Sequence, residues 1–222
     1  MYGRDIGRKF HEDGSVRRYP GNTVISDVGP GCSAYDVMVH LRQMVLEAGF
    51  DSHLILLPEN SYHMTVIQGV NDQVRDDAHW PADLPKDLPM TGVDDYMAAA
   101  IGRVENPGPI RMKFRAVQAG AGAFIVQLDP ADPEQGAILR EYRDQVAGSV
   151  GLRLPGHESY VHHISLGYIR IVPEGEDAQR FRAMINEMNR YIANRPVFTV
   201  TPPRMGFYDH MLHFDPQRIP RD

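Results

Sequence analysis

One pattern occurs twice in this chain. Leu57-Pro58, Glu59 and Ser61-Tyr62 lead into His63-Met64-Thr65-Val66, and Leu154-Pro155, then Glu158-Ser159-Tyr160, lead into His163-Ile164-Ser165-Leu166. The two histidines are 100 residues apart. A period that long is not a solenoid repeat. It predicts one duplicated α/β unit, its two copies packed as lobes about a pseudo-two-fold axis. Leu128-Asp129-Pro130 and Phe214-Asp215-Pro216 close the two series in matching positions. The halves are expected at about 20–130 and 131–222 of a single 222-residue domain.

Periodicity and turn residues place the elements. A short strand is expected at Thr23-Val24-Ile25. A helix follows, capped by Ser33, carrying Val37, Leu41, Met44, Val45 and Ala48 and ended by Gly49. Strands are read at 53–57 and 62–70, with an irregular proline-rich loop at 71–89. A helix at 93–104 and a hairpin of 110–119 with 123–129 complete the first series. The second has a helix at 133–149, a strand at 161–171, a helix at 177–193, and strands at 197–201 and 211–214 flanking a turn-rich 202–210.

Strand alternation assigns faces within the motifs. His63, Thr65 and Ile67 share one face of the first strand. Val161, His163, Ser165 and Gly167 share the corresponding face of the second. His162, Ile164, Leu166 and Tyr168 turn towards the helices, so His163 is the functional candidate and His162 a packing residue. Each strand thus offers an imidazole and a hydroxyl two residues apart, about 6–7 Å along the strand. Two such pairs facing across a cleft suit a tetrahedral phosphate. A neutral histidine can take a proton from water while a protonated one gives a proton to the leaving oxygen, and the ordinary histidine pKa of about 6.5 serves both. The hydroxyls and imidazolium offset the developing charge, so the chemistry calls for no metal or other cofactor.

The motifs H-M-T-V at 63–66 and H-I-S-L at 163–166 resemble those of the two-histidine (2H) phosphoesterase superfamily, which includes cyclic nucleotide phosphodiesterases and 2′-5′ RNA ligase-like proteins. The chain is similar to a bacterial branch of that group over about residues 20–216. The resemblance implies a bilobal α+β fold, with two antiparallel sheets forming a concave cleft and helices packed outside. It implies metal-independent cleavage of a 2′,3′-cyclic phosphate or related phosphodiester. His63 and His163 carry over as acid and base, Thr65 and Ser165 as phosphate ligands.

Other residues have two readings each. Arg204 reads as a phosphate or ribose contact or as a solvated arginine. Tyr208 reads as a base-stacking ring or as rim packing. Asn22 reads as a turn cap or as a cleft residue. Gly120-Ala121-Gly122 sits inside a hairpin and opens no helix, so it reads as a turn. Cys32, the single cysteine, reads as an inert thiol.

A net charge of −6 argues against long duplex nucleic acid as partner and favours a small nucleotide or short RNA. No apolar run is long enough for a membrane span or a signal core, so a cytoplasmic protein is expected. A non-catalytic nucleotide- or phosphate-binding module is the alternative to an enzyme. A metal hydrolase with the two histidines as ligands ranks third, for want of a carboxylate beside either motif.

Overall fold

The computed structural model describes residues 1–217; the end of the expected second half, 218–222, lies outside the described residues. Its strands are β1 (Gly21–Asp27), β2 (Leu54–Leu56), β3 (His63–Asn71), β4 (Ile110–Ala119), β5 (Ala123–Pro130), β6 (His163–Ile169), β7 (Phe198–Val200) and β8 (Arg204–Tyr208). The helices are α1 (Ser33–Glu47), α2 (Met90–Ile101), α3 (Pro133–Val150) and α4 (Gly175–Ile192). This is the expected α+β class.

The paired strands are antiparallel throughout, in the order β7-β4-β5-β6-β3-β1-β8, with β2 beside the far end of β6. The two expected sheets are two parts of one continuous sheet. They join where β3 meets β6 through one registered pair, Met64 with Ile164. Beyond that pair the edge of β6 is taken by β2, through Leu54–Ile169, Ile55–Tyr168 and Leu56–Gly167. Strand β3 leaves β6 and continues along β1. So narrow a junction lets the sheet bend into a cleft there.

The strands interleave along the chain. The β4–β5 hairpin lies between β6 and β7, and β8 returns to pair with β1. Helices α1 and α4 contact each other and the strands on the β6–β7 side, whereas α2 packs on α3. The α1 stripe buries Ala34, Val37, Met38, Leu41 and Val45, close to the expected face. Its N-cap position is Cys32 rather than Ser33, without a side-chain cap; the Cys32 thiol lies 3.3 Å from the Thr199 carbonyl. Helix α3 is capped as its sequence favours: Asp132 accepts from the Gln135 amide and Pro133 occupies the first turn.

Two expectations are overturned. The last strand is not 211–214 but Arg204–Tyr208, inside the stretch read as a turn. Pro202-Pro203 signalled a turn, yet prolines just before an edge strand leave no ladder bond unmade, and β8 has only β1 as a strand neighbour. The simple alternation in the motif strands also fails. Ile25 pairs Thr65 but Val24 pairs Ile67, and Ile125 pairs Ser165 but Phe124 pairs Gly167. Val66 and Leu166 are therefore extra residues, bulges at the same place after each motif. Each bulge reverses the face that follows. Gln68 and Tyr168, not Ile67 and Gly167, continue the cleft side.

Candidate active site

The seam between the half-sheets forms the floor of a cleft of about 370 Å³ lined by His63, Thr65, His163 and Ser165. The antiparallel pairing of Met64 with Ile164 sets their arrangement. Extended by one residue each way, that register puts His63 across from Ser165 and Thr65 across from His163. Directly opposed Cβ atoms lie about 4.5–5.5 Å apart. Each imidazole then has a hydroxyl two residues along its own strand and another across the seam. The two motifs thus lie side by side on adjacent strands of one floor, where the sequence reading has them facing each other across the cleft.

Both rings are held in the same way. Nδ1 of His63 lies 2.7 Å from the Ser61 carbonyl, and Nδ1 of His163 lies 3.0 Å from the Val161 carbonyl. A carbonyl oxygen only accepts, so Nδ1 donates and the neutral ring keeps Nε2 as its acceptor. The local sequences supply these carbonyls. Pro58-Glu59-Asn60-Ser61 makes a 3₁₀ turn, closed by Ser61 Oγ donating to the Pro58 carbonyl at 2.8 Å, and presents Ser61 to β3. The turns of 154–160 bring Val161 into the matching place, and the His162 carbonyl is fixed by the Leu128 amide at 2.8 Å.

Burial shapes the electrostatics. Desolvation pushes the His63 pKa down to about 4, opposed by its bond to the Ser61 carbonyl and by the nearby Asp27 carboxylate. His163 is lowered as well, by burial and against the pull of the Val161 carbonyl. Both rings are therefore neutral near pH 7 while the cleft holds no anion. His162 is buried on the other face, its Nδ1 3.4 Å from the Thr65 carbonyl, the packing position expected for it.

A buried arginine supports the floor from behind. Arg143 of α3 donates to the Val66 carbonyl at 3.0 Å and to the His157 carbonyl at 2.7 Å, and its guanidinium lies 4.5 Å from the Tyr160 ring centroid. It thus anchors the first bulge. The Tyr160 ring lines the cleft and lies edge-on to His162.

The remaining candidates divide. Tyr208 lines the cleft, its ring 5.0 Å from that of Phe214, which in turn packs 4.3 Å from His63. Arg204 is not among the cleft-lining residues, contrary to the contact considered for it. Its guanidinium grips both Asp27 oxygens, at 2.6 and 2.7 Å. Asn22 caps no turn. It is among the residues lining the cleft, the second of its two readings, and from its buried place on β1 it donates to Asp94 at 2.8 Å and accepts from the Val70 amide at 3.0 Å, so it also ties β1 and β3 to α2.

Sequence reasoning missed the residues that the bulges and the N-terminal segment bring in. Gln68 and Tyr168 reach the cleft only because of the bulges. Arg8, Lys9 and Tyr19 come from residues ahead of β1. The 71–89 loop adds Val74 and His79 to the wall. It is pinned by Arg75, which bonds Asp72 and the Lys86 and Leu88 carbonyls and covers the buried Trp80 ring at 4.4 Å.

Among the described residues, one group of three side chains has metal-binding proximity: Asp144, His157 and Glu158, away from the cleft. Arg153 already pairs with both carboxylates. No helix among the described residues is long and apolar enough to cross a membrane.

Residues 9–123 match the model of the 2H-phosphodiesterase family, described as a domain of unknown function (DUF1868), and the chain belongs to that family. Among solved structures it is similar to the conserved protein of unknown function ATU0111 of Agrobacterium tumefaciens. The two share 30% identity over 96% of this chain and 91% of that one, with a TM-score of 0.87. Escherichia coli LigT in apo form is more distant, at 12% identity and a TM-score of 0.49 over 91% of this chain and 96% of that one. No curated protein matches.

Proposed function

We propose that the protein is a metal-independent phosphodiesterase that hydrolyses a 2′,3′-cyclic phosphate or a related small nucleotide or RNA phosphodiester. The observation that carries this reading is the matched pair of histidines, each held through Nδ1 by the carbonyl two residues before it and each flanked by a hydroxyl. Family membership supports phosphoesterase chemistry.

In this mechanism Thr65 and Ser165 hold the phosphate oxygens between the two strands. The neutral Nε2 of one histidine takes a proton from water as the water oxygen bonds to phosphorus. The P–O bond to the ribose breaks on the opposite side, and the other histidine, protonated, gives its proton to the departing alkoxide. The product is a phosphomonoester with a free ribose hydroxyl. The incoming phosphate anion supplies the charge that makes an imidazolium favourable in a site where burial otherwise opposes one.

The test is hydrolysis of a panel of 2′,3′-cyclic nucleotides, 3′,5′-cyclic nucleotides and short oligonucleotides, with chelator present, on wild type, His63→Ala and His163→Ala. Turnover lost in both folded variants supports the proposal. Full activity in either one overturns it. Saturable binding without turnover would favour a nucleotide-binding module, and loss of wild-type activity to the chelator would favour the metal reading.

A further inference from the structure

The chain carries a net charge of −6, yet among the described residues no aspartate or glutamate lines the cleft. Its wall instead includes two cations, Arg8 and Lys9, in addition to the histidines. Both cations lie outside the duplicated series, in the segment ahead of β1. That segment is built into the fold. Tyr2 bridges Ile171, the Gly3 amide donates to the Arg170 carbonyl at 3.0 Å, and the Arg4 amide donates to the Ala121 carbonyl at 2.9 Å. Phe10 is fully buried, its ring 4.9 Å from that of Tyr168.

The two cations differ. Lys9 is already balanced: it lies 3.3 Å from the buried Asp5 carboxylate, and its ammonium sits 4.9 Å from the Tyr168 ring and 5.6 Å from that of Tyr19. Arg8 forms no ion pair among the described residues. Its side-chain bond is to a neutral group, the Tyr19 hydroxyl, which leaves the rest of its planar fork of donors for a ligand. Tyr19 is itself buried, so it steadies the exposed guanidinium against a fixed partner at the cleft wall.

We infer that Arg8, held by Tyr19 and backed by Lys9, forms a second anion subsite, and that the nucleotide this cleft takes carries a second, non-reacting phosphate besides the one between the histidine motifs. The inference rests on the reading of the cleft as a phosphodiester site and narrows its substrate class. An arginine fork binds a phosphate through two parallel bonds, which lysine cannot do. The subsite makes the N-terminal segment the determinant of which phosphodiesters are accepted.

The experiment is titration calorimetry of wild type and Arg8→Gln with adenosine 2′- and 3′-phosphates and with the corresponding 2′,5′- and 3′,5′-bisphosphates. At least one bisphosphate is expected to bind wild type tenfold or more tightly than its monophosphate, with the ratio falling below threefold in Arg8→Gln. Arg8 is exposed and its substitution leaves the core intact; Arg8→Lys, which keeps the charge but not the fork, should recover only part of the ratio. Equal affinities in wild type, or a preference that survives Arg8→Gln, overturn the inference. Binding is read without turnover, so the two readings fail separately. An Arg8-dependent preference without hydrolysis keeps the subsite and removes the phosphodiesterase. Hydrolysis without the preference does the reverse.

Discussion

Arg204 on β8 clasps Asp27 on β1 at the flank of His63, on the strand that pairs with β3. The carboxylate favours the His63 imidazolium and the guanidinium opposes it. Removing the arginine leaves the carboxylate unbalanced. Arg204→Ala should therefore raise the His63 pKa and move the limb of the pH–rate profile that His63 sets towards higher pH. Asp27→Asn should move it lower. An unshifted profile in both variants would show that the pair acts only in holding β8 to β1.

The hydroxyls and imidazoles should separate in kinetics. Thr65→Val and Ser165→Ala remove donors to the phosphate, and each should lower kcat/KM by about 10²–10³ on the substrate found in the panel. His63→Ala and His163→Ala should cost about 10²–10⁴ in kcat. The double histidine variant should lose little more than either single one if the two act as one acid–base unit.

The motif residues were legible because a histidine and a hydroxyl two apart on a strand mark one face whatever the fold around them. Ile67 and Gly167 were misplaced because alternation assumes an unbroken ladder. A bulge is fixed by the neighbouring strand, and in sequence Val66 and Leu166 look like any other apolar strand residue. The Arg204–Asp27 clasp joins residues 177 apart and has no local trace. Arg8 and Lys9 have no local mark of the cleft either, since only tertiary packing carries them to it. By contrast α1, α3 and the β4–β5 hairpin follow from stripe, cap and turn, which are local.

Arg143 should matter to stability and to activity. Arg143→Met leaves the Val66 and His157 carbonyls without their donor and removes the cover over Tyr160. A loss of about 2–4 kcal/mol is expected in urea denaturation, from one buried and one partly buried acceptor left unmade. Because the Val66 bulge is what turns Gln68 into the cleft, kcat/KM should fall even at temperatures where the variant is fully folded. Arg143→Lys, unable to reach both carbonyls with one planar fork, should recover little.

Gly167 faces the backbone of β2 at close range. A Cβ there would stand 2.6 Å from the Ile55 carbonyl oxygen, and backbone cannot move aside as a flexible side chain can. Gly167→Ala should cost about 1–3 kcal/mol and lower the thermal midpoint. Gly148→Ala, with nothing within 4 Å, is the matched control and should leave that midpoint unchanged or slightly raised.

Acid should weaken the fold in a defined window. His63 and His162 are both pushed down to about 4 by burial. Between that value and the unfolded pKa of about 6.5, the unfolded chain binds protons that the folded chain does not. Stability therefore rises with pH through this window and is lost as pH falls from about 6.5 to 4, by at most about 3 kcal/mol per histidine. Urea midpoints at pH 7 and 5 test the slope. His162→Phe should flatten it, and an unchanged slope in that variant would locate the titration elsewhere.

The pairing of β1 with β8 sets the order in which the molecule can be completed. During synthesis Arg204, on the partner strand β8, emerges 177 residues after Asp27 of β1. Contacts between segments so distant in the chain form slowly, because the intervening loop must close before any bond is gained. Until then one edge of β1 is bare, and the strand that places Asp27 beside His63 lacks one of its two neighbours. While the intervening residues are made, the nascent chain thus carries an open sheet edge, a template for mispairing with another copy.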